Sequence, residues 1–184
     1  MPKILENIEE KIFYNVIELI NKKGFNNTSM KEIADETGVA VGTLYNYFSN
    51  KEDLVFNVIK KSWEETFIKL DKVLNSNLPT EIKYEKFIII LYQEISKRKV
   101  VGGNLIQNNI IKEKKFNSIK TTLAKKFKKI FTSLNKENNS FKINLEQKRL
   151  LDTIVTTISY LAYSYPEDEK NIEFLKNFAK KLIK

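Results

Sequence analysis

A chain of 184 residues with 42% hydrophobic side chains and a formal charge of +9 can bury a real core, either in one helical unit or in a small domain with a larger companion. It contains neither Cys nor His, which excludes a disulfide framework, a zinc site of the usual ligands and histidine acid–base chemistry, and fits a reducing cytoplasm. The N-terminus has no apolar signal core, and the longest strongly apolar run, Phe87 to Tyr92, falls far short of the ~20 residues of a membrane span, so a soluble cytoplasmic protein without membrane insertion is expected.

The pattern is helical throughout. A first helix is expected over about residues 3 to 23, with Ile4, Ile8, Ile12, Val16 and Ile20 at fourfold spacing on one face and Gly24 as its stop. Ser29 is an N-cap type whose hydroxyl can accept from the amide three residues on, and Glu32 can reach back to the cap's own amide. The helix that begins there buries Met30, Ile33 and Ala34 and ends at Gly38, which takes a left-handed conformation without a Cβ penalty. A second short helix starts at about Val41. Leu44 and Phe48 stand four apart and face the core, leaving Thr43, Asn46 and Tyr47 pointed elsewhere. Asn50 offers a new N-cap with Asp53 as its box partner, and Lys51 sits on the first turn, within reach of a phosphate. Two short helices, a glycine turn and an aromatic cluster make a DNA-reading helix-turn-helix.

These residues resemble the tetracycline-repressor (TetR) family of bacterial regulators. The resemblance is carried by Thr28-Ser29, Ile33-Ala34, Gly38-Val39, Gly42-Thr43-Leu44-Tyr45, Tyr47-Phe48 and Lys51-Glu52 with Leu54, and it covers roughly Phe13 to Ile59. It implies phosphate or base contacts from Lys31, Thr43, Tyr45, Asn46, Tyr47 and Lys51, with Gly42 allowing close approach to the DNA backbone. Tyr45 is shared between core and DNA. Two positions depart from the common pattern: Ala40 stands where a Ser often caps the recognition helix, and Val41 where a polar residue is usual. The first change removes a cap worth about 1 kcal/mol. The second replaces a hydrogen-bonding group with one that can pack on a thymine methyl, which suits an A·T-rich operator.

A long helix is expected from Lys51 to about Leu74, carrying Leu54, Val58, Trp63, Phe67, Leu70 and Leu74, and the segment Asn75 to Pro79 reads as a boundary. A fifth helix then spans about Glu81 to Lys97. Gly102 and Gly103 break the pattern before a short helix near Asn104 to Ile111, and a longer one covers about Glu113 to Leu134. After a polar loop over 135–143, Asn144 and Gln147 open a helix to about Tyr163, and Pro166 with Glu167 to Glu169 starts the last one, whose end is basic. The expected fold is all-α with about nine helices. It has a helix-turn-helix domain over 1–50, a connecting helix over 51–74 and a helical effector-binding and dimerisation domain over 75–184.

Candidate pocket residues are Trp63, Phe67, Tyr92, Phe116 and Tyr160, all of which serve equally as core. A helix-turn-helix gains affinity by presenting two copies about one duplex turn apart, so a homodimer on a double-stranded operator is expected. The resemblance places its interface on the final two helices, with Leu151, Ile154, Ile158, Phe174 and Phe178 as candidates. Charge is uneven: residues 1–60 hold seven lysines against nine acids, residues 61–135 sixteen basic groups against seven acids, and residues 136–184 nine against seven. Lys97, Arg98, Lys99, Lys112, Lys114, Lys115, Lys120, Lys125, Lys126, Lys128 and Lys129 crowd the middle of the chain. They are solvated helix faces, or a basic rim for an apolar or anionic effector such as a fatty acyl thioester. Without a Gly-rich phosphate loop or nucleophile motif, no catalytic residue, cofactor or metal is assigned and an enzyme is disfavoured. A transcriptional regulator, a repressor released by a small molecule, leads. An architectural or division-linked DNA binder without effector is the alternative, and a protein of anionic membrane surfaces the outside one.

Overall fold

The computed structural model describes residues 4–98, 113–137 and 147–183. The helix expected over Asn104 to Ile111 and the cap expected at Asn144 lie outside them. Among the described residues there are eight α-helices and a single 3-10 turn, in two compact units.

The first unit, Met1–Glu64 with Arg98–Lys115, holds α1 (Ile4–Lys23), α2 (Met30–Thr37), α3 (Val41–Tyr47) and the first part of α4 (Lys51–Leu74). Its core is mainly aliphatic, with Phe13 and Phe25 among it: Ile12, Val16, Leu19 and Ile20 of α1, Met30 and Ile33 of α2, Leu44 of α3, and Leu54, Val55, Val58 and Ile59 of α4 are all buried. Each such side chain contributes roughly 1.5–3 kcal/mol over its exposed state. Gly24 ends α1 at φ 81, as its position predicts. Asn50 caps α4 by accepting from the Asp53 amide at 2.8 Å, while Asp53 reaches back one residue further than expected, to the Ser49 amide at 3.3 Å. Arg98 is buried here, donating through Nε to Ser62 Oγ at 2.6 Å and through Nη2 to the Ser62 carbonyl at 2.7 Å, with its guanidinium 4.7 Å from the Trp63 ring centroid.

The second unit, Glu65–Lys97 with Phe116–Lys184, holds the rest of α4, α5 (Thr80–Ser96), α6 (Asn117–Glu137), α7 (Gln147–Ser164) and α8 (Asp168–Ile183). A 3-10 turn over Glu113–Phe116 leads into α6. Helix α5 is central and packs on α6, α7 and α8. Ring contacts make its core: Phe127 stacks on Phe131 at 4.3 Å, Tyr84 meets Phe131 edge-on at 5.4 Å, and Phe87 lies 6.2 Å from Phe127. Helix α6 continues through Glu137, so residues 135–137, expected in a polar loop, are helical.

Two polar groups are built into this unit. Glu94 is buried and accepts from Lys69 at 2.7 Å, Lys97 at 3.0 Å and Thr66 at 3.3 Å. Burial alone would raise its pKa, but the hydrogen bonds from Lys69 and Lys97 outweigh that and hold the carboxyl below its ordinary range. Tyr92 donates to Asp168 Oδ1 at 2.5 Å and accepts from Asn171 Nδ2 at 2.8 Å; the same nitrogen lies 2.8 Å from the Tyr165 carbonyl and 3.4 Å from that of Leu161. The end of α7 is thereby satisfied from α8, and burial together with Asp168 pushes the Tyr92 hydroxyl pKa up.

Candidate nucleic-acid interface

Helix α2 starts with both halves of the expected capping box. Ser29, at φ −107 and ψ 158, accepts from the Glu32 amide at 3.2 Å, and Glu32 accepts from the Ser29 amide at 2.8 Å. Lys23 pairs with the same carboxylate at 2.9 Å. That ammonium first, then the Ser29 amide and hydroxyl, pull the Glu32 pKa down to about 2. Gly38 ends the helix at φ 68, and Val39 N–H returns to the Ala34 carbonyl at 3.0 Å, which closes the turn.

Helix α3 has seven residues, and Ala40 gives it no side-chain cap. Instead the Thr43 amide bonds the Ala40 carbonyl at 2.8 Å. A helix this short is unstable alone. Leu44 anchors it: this side chain is 0% exposed and is the only fully buried one on α3. Phe48 and Thr43 are half-buried, so Phe48 is less of a core residue than its spacing predicts. Around this anchor α3 turns outward Val41 (41% exposed), Tyr45 (55%) and Tyr47 (52%), with Gly42 and Asn46. A Cβ placed on Gly42 would meet nothing within 4 Å, so the chain itself does not require glycine there. Lys31 is exposed on α2.

Lys51 stands differently. Its ammonium donates to the carbonyls of Phe25 and Thr28, both at 2.7 Å, and lies 4.1 Å from the Phe25 ring centroid. Two of its three hydrogens are turned into the protein rather than toward a phosphate, contacts that spacing along the chain could not reveal.

The candidates for pocket and interface need correction. Tyr160, expected in a pocket, is 61% exposed, with its ring 6.2 Å from Tyr165. Tyr92 and Phe116 are buried, and Tyr92 is committed to Asp168 and Asn171. Trp63 and Phe67 are half-buried beneath cations, Arg98 over the first and Lys126 over the second at 5.5 Å. Of the interface candidates, Leu151, Ile154 and Ile158 lie inside the unit because α7 turns that face to its neighbours, whereas Phe174 (52% exposed) and Phe178 (41%) remain outside, stacked at 6.1 Å. The exposed face of α7 also carries Tyr160 and Tyr163, whose i, i+3 spacing is visible in the sequence. A small apolar dent is lined by Tyr84, Ile88, Ile154, Thr157, Leu175 and Phe178, and none of the five pocket candidates reaches it. Several basic residues serve the fold: Lys126 pairs with Asp71 at 2.5 Å, Lys129 bonds Asn75 at 2.8 Å and Lys115 lies 3.9 Å from Asp53. Lys120, Lys125 and Lys128 are exposed, and the side chains of Lys99, Lys112 and Lys114 lie outside the described residues.

A capped helix, a left-handed glycine turn and a second helix anchored by one leucine, with its polar and aromatic side chains outward, define the helix-turn-helix class. The family described as bacterial regulatory proteins, tetR family, matches residues 17–58. An uncharacterized HTH-type transcriptional regulator, YuxN of Bacillus subtilis, is 30% identical over 91 residues, which are 50% of this chain and 31% of that protein, so the match spans about a third of the relative's length. The solved structure of the fatty acid degradation regulator FadR from Bacillus halodurans superposes with a TM-score of 0.81 at 20% identity, covering 96% of this chain and 94% of its own. That of the transcriptional regulator FadR from Bacillus subtilis, in complex with stearoyl-CoA, gives 0.75 at 19%, covering 95% and 96%. Over residues 17–58 the chain is similar to the TetR family, and its fold is that of the solved regulators it superposes on. Among the described residues no helix is long and apolar enough to cross a membrane.

Proposed function

We propose that this protein is a cytoplasmic transcriptional regulator that binds a double-stranded DNA operator as a homodimer and is released from it by a small-molecule effector. The observation that carries this reading is α3, a short helix pinned by Leu44 that turns Val41, Tyr45, Asn46 and Tyr47 to solvent. Placed in a major groove, Asn46 and Tyr47 meet base edges and Tyr45 the backbone, while Lys31 on α2 meets a phosphate and Gly42 lets the helix come close. Residues 1–50 act as the reader, α4 as the connector and 75–184 as the effector-binding and dimerisation part. The exposed rings of Tyr160, Tyr163, Phe174 and Phe178 supply the apolar area that pairs two copies.

The effector class that fits best is a fatty acyl thioester. This rests on the stearoyl-CoA complex of the structural relative and on the exposed lysines of α6, which suit an anionic head group. Such a ligand acts by binding one arrangement of the dimer better than the other, and its leverage on DNA is limited to that difference. Fluorescence anisotropy on DNA from the protein's own upstream region, with a scrambled duplex and Tyr47→Ala as controls, tests the reading. Specific binding that depends on Tyr47 and is weakened by an acyl-CoA is expected; binding no better than scramble refutes the regulator, and indifference to acyl-CoA refutes the effector class.

A further inference from the structure

A lysine in the first turn of a helix opposes the helix dipole, since the exposed amides there already carry partial positive charge. Lys51 occupies that place on α4, and its ammonium is held by groups 26 and 23 residues earlier: the Phe25 carbonyl, the Thr28 carbonyl and the Phe25 ring. Both carbonyl distances are 2.7 Å, the length of a charge-assisted bond. The two carbonyls belong to a built turn. Gly24 takes φ 81, the Thr28 amide bonds the Phe25 carbonyl at 3.2 Å, and the Thr28 hydroxyl bonds the Gly24 carbonyl at 2.9 Å. Thr28 is 2% exposed and directly precedes Ser29, the cap of α2.

We propose that Lys51 is a positioning residue: it ties the first turn of α4 to the turn that leads into α2, and so sets the orientation of α2 and α3 on DNA from α4, instead of serving as a phosphate ligand. The inference rests on the DNA-binding reading above. A shift of the first turn of α4 is passed directly to the start of α2, because the ammonium grips the backbone of that start. A compact ammonium suits this role. A guanidinium is longer and planar, with its donors in a fixed fork, so it does not reproduce one compact cation 2.7 Å from both carbonyls and 4.1 Å from the Phe25 ring centroid, although it binds phosphate at least as well.

The test uses the full chain as wild type, Lys51→Met and Lys51→Arg, measuring thermal melting without DNA and operator affinity across a salt series. The tie predicts that Lys51→Met melts at least about 3 °C lower. It also predicts that both variants lose affinity roughly tenfold or more, with lines of log K against log salt nearly parallel to wild type. Wild-type affinity in Lys51→Arg, or wild-type melting of Lys51→Met with its salt slope reduced by about 0.9 per lost phosphate contact, overturns it. If Lys51→Met fails to fold, the tie is supported and the Arg variant decides the DNA arm. If wild type shows no preference over scrambled DNA, the regulator reading has failed, while melting alone still decides the tie.

Discussion

Replacing Leu44 by Ala should uncouple the recognition helix from the rest of its unit. Leu44 is 0% exposed and is the one fully buried side chain of a seven-residue helix without a side-chain cap. Truncating a buried leucine costs about 2–5 kcal/mol, and a value near ~3 shifts the docking equilibrium of α3 by roughly a hundredfold. Since helices below about 12–15 residues do not hold in water alone, α3 has nothing to fall back on once the anchor is removed. Hydrogen exchange of a peptide covering α3, read together with operator anisotropy, separates two kinds of loss. Leu44→Ala should lose both amide protection and affinity, whereas Tyr47→Ala should lose affinity with protection intact. Protection and affinity within threefold of wild type in Leu44→Ala would mean that α3 is held by something other than this side chain, and the anchoring argument would be wrong.

Four further outcomes are expected. The Glu32 carboxyl is lowered from 4.5 to about 2, so its contribution is complete above pH 4.5 and disappears as pH falls toward 2. The urea midpoint of wild type should therefore drop more steeply across that window than that of Glu32→Gln, and equal slopes would reject the box as a stabilising group. Gly42→Ala places a methyl in open space on a helix, which should raise stability by about 0.5–1 kcal/mol while weakening DNA binding; undiminished affinity would dismiss close approach at this position. Val41→Lys should relax any A·T preference in a binding-site selection, and an unchanged preference removes the thymine-methyl contact. Phe174→Glu combined with Phe178→Glu should turn a dimer into a monomer by sedimentation with the helical signal retained, and a persisting dimer would locate pairing elsewhere.

The parts of this molecule that could be read from sequence are those decided by neighbours along the chain. Ser29 with Glu32, Gly24, Gly38 and Asn50 each act over a span of three or four residues, and each does what its position predicts. The long α4 was legible for the same reason, through sustained spacing of its apolar residues. What periodicity could not settle is which neighbour an apolar face meets. Leu151, Ile154 and Ile158 share a stripe on α7 that suits a core and an interface equally, and only the packing of α5 and α8 decides in favour of the core. Tyr160 failed in the opposite direction, as an aromatic assigned inward that lies outside. Lys51 lies on its helix where the sequence places it, but its partners stand 26 and 23 residues earlier in the chain, beyond any local signal.

The group formed by Tyr92, Asp168 and Asn171 has a consequence for how this protein can change. The divergence of α7 from α8 is set where Asn171 takes the closing carbonyls of one helix while belonging to the other, and Tyr92 on a third helix completes the set. The rings displayed along the outside of that hairpin take no part in it. Pitch and surface chemistry are thus separable traits: substitutions along the exposed face can alter what it adheres to while the angle of presentation stays as the interior group dictates.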